Sequence, residues 1–396
     1  MIILKNKKSN ILIVVESFFD GGAEMFAIKL ANELAKTQNV YLLELYPYST
    51  KEKRQLPLLN LKQIKFLQPG KSMLGNYIFK NILNENYYLN NSRKILPRLF
   101  SFIKKKKITS LIKKYKIEIV SSHSWDTDVY FSILKNGLEF KLFSTFHGHY
   151  EFLADKRINY EVITKNTLSN IDKVIYASPN HQVILDEYQF PLARREKIFI
   201  GITMPLSKQV TTYQPGTCLN LVMVARGVKE KGWEEAILAI SYLIEKYPGL
   251  IKLNLVGEGK FLDFLKAKYV SPHISFLGYK DQIQEILLTC HIGLLPSYAE
   301  STPISIIEYL VCGKPVIATN VGAIKEMLTD GDFLAGVCMD LKYKKVNVND
   351  IEAAIESYIA NPFLVEKHSK VALNAANKFT MKTCIENYLK VYGINE

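Results

Sequence analysis

Two glutamates lie eight positions apart in the stretch PSYAESTPISIIEYLVCGKPVIATN, which spans residues 296–320. Glu300 follows a short apolar run, and Glu308 falls among isoleucines and leucines of the kind that fill a protein core. A carboxylate in such surroundings needs a partner, because burying an unpaired charge is costly. The segment is therefore a candidate binding or catalytic site.

The residues around the glutamates predict a loop followed by a helix. The preceding strand, IGLLPS, would leave Glu300 in the loop after it. Ser301 or Thr302 is suited to cap the helix, with Pro303 at the first helical position. The helix would continue until Gly313, a residue type that commonly ends helices.

Glu308 would then lie in the second turn, close to the helix N-terminus. The free N–H groups and the dipole of such a terminus form an anion site on which a phosphate can dock. A carboxylate one turn further in can accept hydrogen bonds from a neighbouring diol such as a ribose. The alternative is structural, with Glu308 compensating the helix dipole and Glu300 capping the loop.

A second cluster is cationic and lies in the segment VARGVKEKGW. Arg226 ends the predicted strand LNLVMVA, and Lys231 follows five residues later, just before a helix. Ligands of doubly wound sheets bind at the carboxyl ends of the strands, where two cations supply what a diphosphate needs. Each cation alone is compatible with ordinary surface charge. Together with the helix terminus and the carboxylates, they indicate a site for a phosphorylated ligand.

Both halves of the chain alternate apolar strands with amphipathic helices. This pattern predicts right-handed βαβ units and parallel sheets covered on both faces. The fold class is therefore α/β, with two doubly wound Rossmann-like domains. Residues 1–205 are expected to form the first and residues 206–379 the second. A C-terminal helix, about residues 380–396, is expected to pack back on the first domain.

The composition is that of a folded globular protein, with 48% hydrophobic and 22% charged residues among 396. No apolar stretch approaches the ~18 residues of a membrane span. The N-terminal apolar run is too short for a signal sequence and is interpreted as a first strand. The five cysteines show no CxxC pair and no metal-ligand spacing, which favours reduced thiols in a cytoplasmic protein.

Positive charge is concentrated in the first half of the chain. Residues 1–210 contain 32 Lys and Arg against 18 Asp and Glu, whereas residues 211–396 contain 19 against 20. The densest segment, residues 93–116, predicts a basic amphipathic helix or helix pair. An anionic membrane surface would attract such a helix, and a solvated helix face is the alternative. No nucleic-acid-binding signature accompanies it, so no nucleic acid partner is expected.

These motifs together resemble the retaining glycosyltransferases of the GT-B fold in family 4, the glycosyl transferases group 1. The resemblance of the second half rests on ARGVKEKGW, LVGEG, ISFLGY and residues 296–328. That of the first half rests on GGAE (21–24) and STFHGHY (144–150). The resemblance spans roughly residues 10 to 395. It implies two domains facing a central cleft, the first binding the acceptor and the second the nucleotide-sugar donor.

The resemblance also implies residue roles. Arg226 and Lys231 match the pair that binds the donor diphosphate and supports the leaving group. Glu300 matches the glutamate that faces the donor sugar, and His147 matches the histidine near the sugar's reacting face. These four are the implied catalytic residues. The implied donor-binding set adds Glu308, which would bind the ribose hydroxyls, and Gly21, Gly22, Gly257, Ser301 and Thr302.

The chain departs from the family pattern in three places. Ser301-Thr302-Pro303 replaces the usual glycine or phenylalanine after the first glutamate, which leaves the choice of sugar open. Gly227 stands where a bulkier residue is common. The usual NG at the interdomain turn is replaced by IGITMP.

The implied reaction moves a hexose or N-acetylhexosamine from a nucleoside-diphosphate sugar to a hydroxyl, with the anomeric configuration kept. The acceptor is expected to be lipid-linked or a glycan in cell-surface polysaccharide assembly, such as O-antigen, capsule or exopolysaccharide. The protein would then work at the cytoplasmic face of the membrane. No cofactor and no metal are expected, because cationic side chains and a helix terminus stabilise the departing diphosphate.

Other functions stay open at this point. A sugar-nucleotide epimerase or a phosphorylase would share the fold, and so would a non-catalytic sugar- or membrane-binding protein. Glycosidase chemistry by Glu300 and Glu308 is disfavoured, because one lies in a loop and the other within a helix. WDTD (125–128) could bind manganese, but it lies in the first domain, away from the diphosphate residues. His123 and His149 are expected to be loop histidines with satisfied hydrogen bonds.

Overall fold

The computed structural model describes residues 8–17, 22–45, 58–67, 95–148, 150, 153, 161–207 and 209–394, with the backbone alone for residues 95–103. The chain divides into two compact units, with breaks between Ile198 and Phe199 and between Cys384 and Ile385. The first unit therefore includes the C-terminal residues that follow Cys384.

The first unit is built on a seven-stranded parallel sheet. Its strands are β1 (Asn10–Val15), β2 (Asn39–Glu44), β3 (Ile64–Leu67), β4 (Ile119–Ser122), β5 (Lys141–Thr145), β6 (Lys173–Tyr176) and β7 (Arg195–Lys197). Their order across the sheet is β3-β2-β1-β4-β5-β6-β7, and neighbouring strands pair in parallel throughout. This arrangement confirms a doubly wound first half.

Helices connect these strands. They are α1 (Gly22–Leu34), α2 (Ile95–Lys114), α3 (Trp125–Lys135), α4 (Glu161–Asn170) and α5 (Pro179–Glu187), with a 3-10 turn at Leu192–Arg194. The start of α3 is fixed by a capping box in which Ser124 and Thr127 each accept a hydrogen bond from the other's backbone N–H. The predicted basic segment is a single helix, α2.

The second unit contains a six-stranded parallel sheet. Its strands are β8 (Leu219–Val224), β9 (Ile251–Val256), β10 (Ile274–Gly278), β11 (Ile292–Leu295), β12 (Val316–Thr319) and β15 (Gly336–Met339), and β13 (Thr329–Asp330) with β14 (Phe333–Leu334) forms a small antiparallel pair. The order is β10-β9-β8-β11-β12-β15, again with parallel pairing. All residues of β11 and β12 are buried, as expected for strands covered on both faces.

The helices of this half follow the same logic. They are α6 (Trp233–Lys246), α7 (Lys260–Lys268), α8 (Ile283–Leu288), α9 (Ile304–Val311), α10 (Ile324–Leu328), α11 (Val348–Ala360) and α12 (Phe363–Ala375), with 3-10 turns at Lys229–Lys231 and Ala376–Phe379. The last helix, α13 (Met381–Tyr392), begins in the second unit, and its residues from Ile385 onward belong to the first. The α6 helix buries an apolar stripe that begins at Trp233 and ends at Leu243.

Each sheet has one point where the winding reverses. The chain leaves β1 for β2 on one side and β4 lies on the other, and β8 is likewise flanked by β9 and β11. A crevice opens outside the carboxyl ends of the strands at such a point. The residues that follow β8 and β11 include Arg226 and Glu300, so the second unit places them at the edge where ligands bind.

Candidate active site

The loop after β8 holds the backbone of Arg226 rigidly and leaves its side chain open. The indole Nε1 of Trp233 donates to the Arg226 carbonyl over 2.9 Å, and Trp233 itself is fully buried. The Gly227 N–H donates to the Glu258 carbonyl over 2.8 Å. The Arg226 side chain is exposed and has no hydrogen-bond or ion-pair partner among the described residues. Its guanidinium is thus available to an anionic ligand.

Two glycines let the loops after β8 and β9 approach each other. A Cβ at Gly227 would lie 2.8 Å from the carbonyl carbon of Glu258, and one at Gly257 would lie 2.0 Å from the Ala225 oxygen. A residue with a side chain at either position would clash with the facing backbone. The departure at Gly227 therefore has a structural cause, because this loop packs backbone against backbone.

Lys231 is positioned by a third close approach. It ends the 3-10 turn Lys229–Lys231, and Gly232 follows in the left-handed conformation with φ 76°. A Cβ at Gly232 would lie 1.9 Å from the Pro296 oxygen, at the exit of β11. The Tyr298 N–H also donates to the Glu230 carbonyl over 2.8 Å. The turn that carries Lys231 is thereby held against the loop that carries the first glutamate.

Glu300 and Lys231 form an ion pair in this site. The Nζ of Lys231 lies 2.6 Å from Oε1 of Glu300, and the two side chains are 14% and 7% exposed. Ser297 Oγ donates to the same carboxylate oxygen over 2.8 Å. A nearly buried pair is stable only when its geometry and further hydrogen bonds repay the lost solvation. The sequence predicts Ser297, like Lys231 and Glu300, at the sheet edge, but no local pattern predicts the hydrogen bond from Ser297 to Glu300.

The start of α9 differs from the sequence prediction. Pro303 is the N-cap, not the first helical residue, and no side chain caps the helix, so the proposed caps Ser301 and Thr302 are wrong. The physical reason is the extended ψ of 125° at Pro303, which delays the helix by one residue. The N-terminal N–H groups of α9 consequently have no side-chain cap to compete with a ligand.

The loop before α9 presents an unused hydroxyl. Ser301 is 8% exposed, and its Oγ has no hydrogen-bond partner within the described residues. The Ala323 N–H donates a hydrogen bond to the Ser301 carbonyl over 2.9 Å. Gly322, with φ 58°, makes this possible, because a Cβ there would lie 2.2 Å from the Glu300 oxygen. A buried, unpaired hydroxyl is costly unless a ligand or water completes it.

Glu308 lies on the more exposed face of α9. It is half-buried, as are Ile304 and Ser305, which are four and three residues away and share its face. The opposite face is buried and carries Tyr309, whose Oη accepts from the Val224 N–H over 2.7 Å and donates to the Leu294 carbonyl over 3.2 Å. The helix is thus anchored to two strands of the sheet, and Glu308 lies outside the core.

The first unit holds a pair of stacked histidines. His123 follows β4 and is buried, and His147 follows β5 and is half-buried. Nδ1 of His123 lies 3.0 Å from Nε2 of His147. Burial lowers the pKa of His123 well below its usual value, with a contribution from His147, and burial with a contribution from His181 lowers the pKa of His147 to about 3. Both rings are therefore neutral at physiological pH.

The remaining first-unit predictions have mixed outcomes. Gly22 is the first residue of α1, whereas Gly21 and His149 lie outside the described residues. In the WDTD segment, Asp128 is buried and accepts a hydrogen bond from Ser144 over 2.7 Å. No group of three or more His, Cys, Asp or Glu in the described part of the chain could hold a metal ion.

The lysines of the basic helix α2 differ in their exposure to solvent. Lys105, Lys106 and Lys107 are exposed, as are Lys113 and Lys114. Lys104 is half-buried over the Tyr130 ring, and burial lowers its pKa well below the usual value. Residues 93 and 94 of the predicted segment lie outside the described residues. Within the described ranges, no helix is both long enough and apolar enough to cross a membrane.

Comparison with known proteins identifies the second unit. Residues 215–378 match the family model "Glycosyl transferases group 1". The chain is 27% identical over 324 residues to an uncharacterized glycosyltransferase of Methanocaldococcus jannaschii, covering 78% of this chain and 86% of the relative. It is 27% identical over 181 residues to the N,N'-diacetylbacillosaminyl-diphospho-undecaprenol alpha-1,3-N-acetylgalactosaminyltransferase of Campylobacter jejuni, covering 43% and 44% of the two chains.

Solved structures identify the fold of the whole chain. The HepE protein of Anabaena in complex with UDP-glucose superposes with a TM-score of 0.68 at 15% identity, covering 97% of this chain and 99% of that one. Such a match shows the fold, which is that of GT-B glycosyltransferases. The family match covers the unit that carries Arg226, Lys231, Glu300 and Glu308, so this unit is a glycosyltransferase domain of the glycosyl transferases group 1, that of family 4, in a chain with the GT-B fold.

Proposed function

We propose that this protein is a retaining glycosyltransferase that moves a hexose or N-acetylhexosamine from a nucleoside-diphosphate sugar to a hydroxyl of a lipid-linked or polysaccharide acceptor. The observation that carries the proposal is the nearly buried Lys231–Glu300 pair, at 2.6 Å, together with the exposed guanidinium of Arg226 on the loop that leads to Lys231. A pair of this kind places a cation for phosphate and an acid for sugar alcohols within one small site.

The diphosphate is assigned to the cations and the start of α9. Arg226 and Lys231 would bind it, together with the uncapped N–H groups of the helix. As the glycosidic bond breaks, negative charge grows on the departing diphosphate, and these groups stabilise it where it develops. Since fixed protein charges serve this purpose, the proposal needs no divalent metal and no cofactor.

The sugar and the nucleoside are assigned to the acids. Glu300 would face hydroxyls of the transferred sugar, and the backbone N–H groups of Ser301 and Thr302 would contact sugar or phosphate. Glu308 would accept hydrogen bonds from the ribose diol, which its half-buried position on the more exposed face of α9 permits. Gly257, whose missing side chain lets the β9 loop approach Ala225, would bring the backbone of that loop close to the ligand.

The first unit is assigned to the acceptor. By the family resemblance, His147 would contact the reacting face of the sugar, and Gly21 and Gly22 would admit the diphosphate close to the backbone. The departing phosphate oxygen would itself receive the acceptor's proton, so no dedicated base is assigned. The neutral state of His147 suits a hydrogen-bonding role and not that of a charged acid.

The acceptor and the location rest on charge and on the named relatives. The Campylobacter enzyme acts on a diphospho-undecaprenol-linked sugar, by its name, which supports a lipid-linked acceptor here. The exposed lysines of α2 would then hold the protein on the anionic inner face of the cell membrane. Assembly of a cell-surface glycan such as lipopolysaccharide O-antigen, capsule or exopolysaccharide fits both features.

The experiment that tests the proposal begins with a thermal-shift screen of UDP-, GDP- and ADP-sugars, because a ligand that binds the folded state raises the melting temperature. UDP-glucose is the first candidate, since the Anabaena neighbour binds it. The stabilising donor is then incubated with lipid-linked acceptors, and transfer is measured. Nucleotide release without an acceptor, or only with free phosphate, would instead assign an epimerase or a phosphorylase. Binding without turnover on any acceptor would contradict the enzymatic proposal.

A further inference from the structure

A chain of hydrogen bonds in the first unit connects the C-terminal helix to His147. Tyr392, the last residue of α13, donates from Oη to Ser121 Oγ over 2.7 Å. Ser121 Oγ lies 3.1 Å from His123 Nε2, and His123 Nδ1 lies 3.0 Å from His147 Nε2. Ser121, His123 and Tyr392 are each at most 2% exposed, so bulk water does not compete for these bonds.

The hydroxyl of Tyr392, at one end of this series of hydrogen bonds, sets the direction of the bonds that follow. Tyr392 gives its proton to Ser121 Oγ, and His123 Nε2 is the acceptor that the described residues offer to the proton of Ser121. If Ser121 accepted from both neighbours instead, its buried O–H would be left without a partner, which is costly. A neutral imidazole carries one N–H, which in His123 must then be on Nδ1. That proton is donated to His147 Nε2, and the one proton of neutral His147 is therefore on Nδ1.

The result is a specific polarity at the exposed end of His147. Its Nδ1 has no hydrogen-bond partner among the described residues. With the bonds in this direction, Nδ1 is an N–H donor. With all of them reversed, His147 would donate from Nε2 to His123, and Nδ1 would become an acceptor. The same ring in the same place would then favour a different partner atom.

We propose that Tyr392, Ser121 and His123 are positioning residues that hold His147 as its Nδ1–H tautomer, so that it presents a hydrogen-bond donor to an oxygen of the substrate. This inference rests on the proposed function for the part of the claim that concerns catalysis. The tautomer itself is a property of the free protein.

The surrounding packing supports a fixed geometry. The rings of His123 and His147 stack with centroids 5.3 Å apart and an interplanar angle of 25°. Phe26 packs against both, with centroids at 6.0 Å and 5.5 Å. On the same helix as Tyr392, Tyr388 packs against Phe26 at 5.8 Å and shares a hydrogen bond of 3.1 Å with Thr145. The neutrality of both rings, caused by burial, makes one proton per ring the ground state.

The test reads the tautomer directly by nitrogen NMR of protein labelled at its seven histidines. His147 is assigned by its loss in His147→Gln. The proposal expects a protonated Nδ1 and an unprotonated Nε2 at His147 in the wild-type protein without substrate. In Tyr392→Phe the first donor is lost, so a second, Nε2–H population should appear. The matched control is Tyr388→Phe. Tyr388 lies on the same helix but takes no part in the hydrogen bonds that join Tyr392 to His147, so this variant should leave the nitrogen signals of His147 unchanged.

Kinetics separate positioning from folding. His123→Phe keeps a ring but removes the donor, and should lower kcat about a hundredfold with the KM for the nucleotide sugar little changed. His123→Asn restores an N–H close to the Nδ1 position and should recover kcat to within about tenfold of wild type. Tyr392→Phe should lower kcat about five- to tenfold. Unfolding curves on each variant show whether the fold is retained.

Three results would overturn the proposal. One is an Nε2–H tautomer at His147 in the wild-type protein, and another is an unchanged tautomer in Tyr392→Phe. The third is a wild-type kcat in Tyr392→Phe despite a mixed tautomer. Failure of the proposed function is distinct, because a wild-type protein that transfers no sugar would still show its tautomer by NMR.

Discussion

The Nζ of Lys231 and Oε1 of Glu300 lie 2.6 Å apart, with both side chains largely removed from solvent. The proposed phosphate-binding cation and the proposed sugar-binding acid are therefore one electrostatic unit before any ligand binds. A substitution at either residue changes the charge state of the other's surroundings, and the two should not be analysed as independent contributors.

The first prediction concerns this pair. Lys231→Ala and Glu300→Ala should each lower kcat/KM at least about a hundredfold, because each removes a charged contact to the donor and leaves its partner uncompensated. The loss of kcat/KM in the double variant should be far smaller than the product of the two single losses, since the second substitution removes a charge that is already unpaired. Lys229→Ala, in the same 3-10 turn but exposed, is the control and should stay near wild type. A near-normal kcat/KM of Lys231→Ala for the nucleotide sugar would remove the assignment.

A second prediction separates a close contact from backbone conformation. Gly232 and Gly249 both have φ 76°, but a Cβ at Gly232 would lie 1.9 Å from the Pro296 oxygen, whereas nothing lies within 4 Å at Gly249. Gly249→Ala should cost about 1 to 2 kcal/mol of unfolding free energy from the left-handed conformation alone. Gly232→Ala should cost on the order of 3 kcal/mol or more and also reduce turnover, because it displaces Lys231. Equal costs in urea unfolding would show that the approach to Pro296 is not tight.

A third prediction follows from the buried carboxyl of Asp128. Burial raises its pKa to about 7, with hydrogen bonds from Ser122 and Ser144 opposing the shift and Asp126 adding to it. For an acid whose pKa is raised by folding, the stabilising contribution is complete below the unfolded pKa and is lost as the pH rises through the folded pKa. Asp128→Asn cannot ionise and avoids this loss. The variant's stability relative to wild type should therefore rise by about 2 to 3 kcal/mol between pH 5 and pH 8.

The measurement for Asp128 is chemical unfolding at several pH values. The exposed Asp281→Asn makes the same chemical change on the surface and serves as the control. A difference between Asp128→Asn and wild type that does not vary with pH would show that Asp128 is ionised in the folded protein throughout this range.

A fourth prediction tests the basic helix. Replacing Lys105, Lys106 and Lys107 with Gln should weaken sedimentation with vesicles rich in anionic lipid, since each exposed lysine contributes about 1 kcal/mol near such a surface. Donor binding should be unaffected, because none of these three lysines is assigned to the donor site. A triple Gln variant at exposed lysines of the second unit, Lys260, Lys266 and Lys280, is the matched control. Equal vesicle binding by the two triple variants would leave α2 as a solvated helix face.

Much of the fold could be predicted because parallel strands buried on both faces appear as continuous apolar runs. The strands β11 and β12, entirely buried, are of this kind. The edge strand Arg195–Lys197, with the sequence REK, has no apolar signal and could not be recognised from its composition. Its position is set by pairing with β6 and not by a pattern of its own.

The candidate site could be predicted only in part. The residue types and their place at the sheet edge follow from the sequence, but the contact between Lys231 and Glu300 depends on Gly232 meeting Pro296, a tertiary approach. The start of α9 is displaced because Pro303 adopts an extended conformation.

The contacts of the histidine pair could not be predicted from the sequence. His123 is satisfied, as expected of it, but its bonds run to His147 and Ser121, and onward to Tyr392 at a separation of 271 residues from Ser121. No local pattern reports a contact between positions so far apart in the chain.

The most direct test of the central claim is a crystal structure with UDP bound. We expect the diphosphate to contact Arg226, Lys231 and the N-terminal N–H groups of the helix Ile304–Val311, and the ribose hydroxyls to contact Glu308. Nucleotide bound elsewhere, with Glu300 and Glu308 both turned to bulk water, would contradict it.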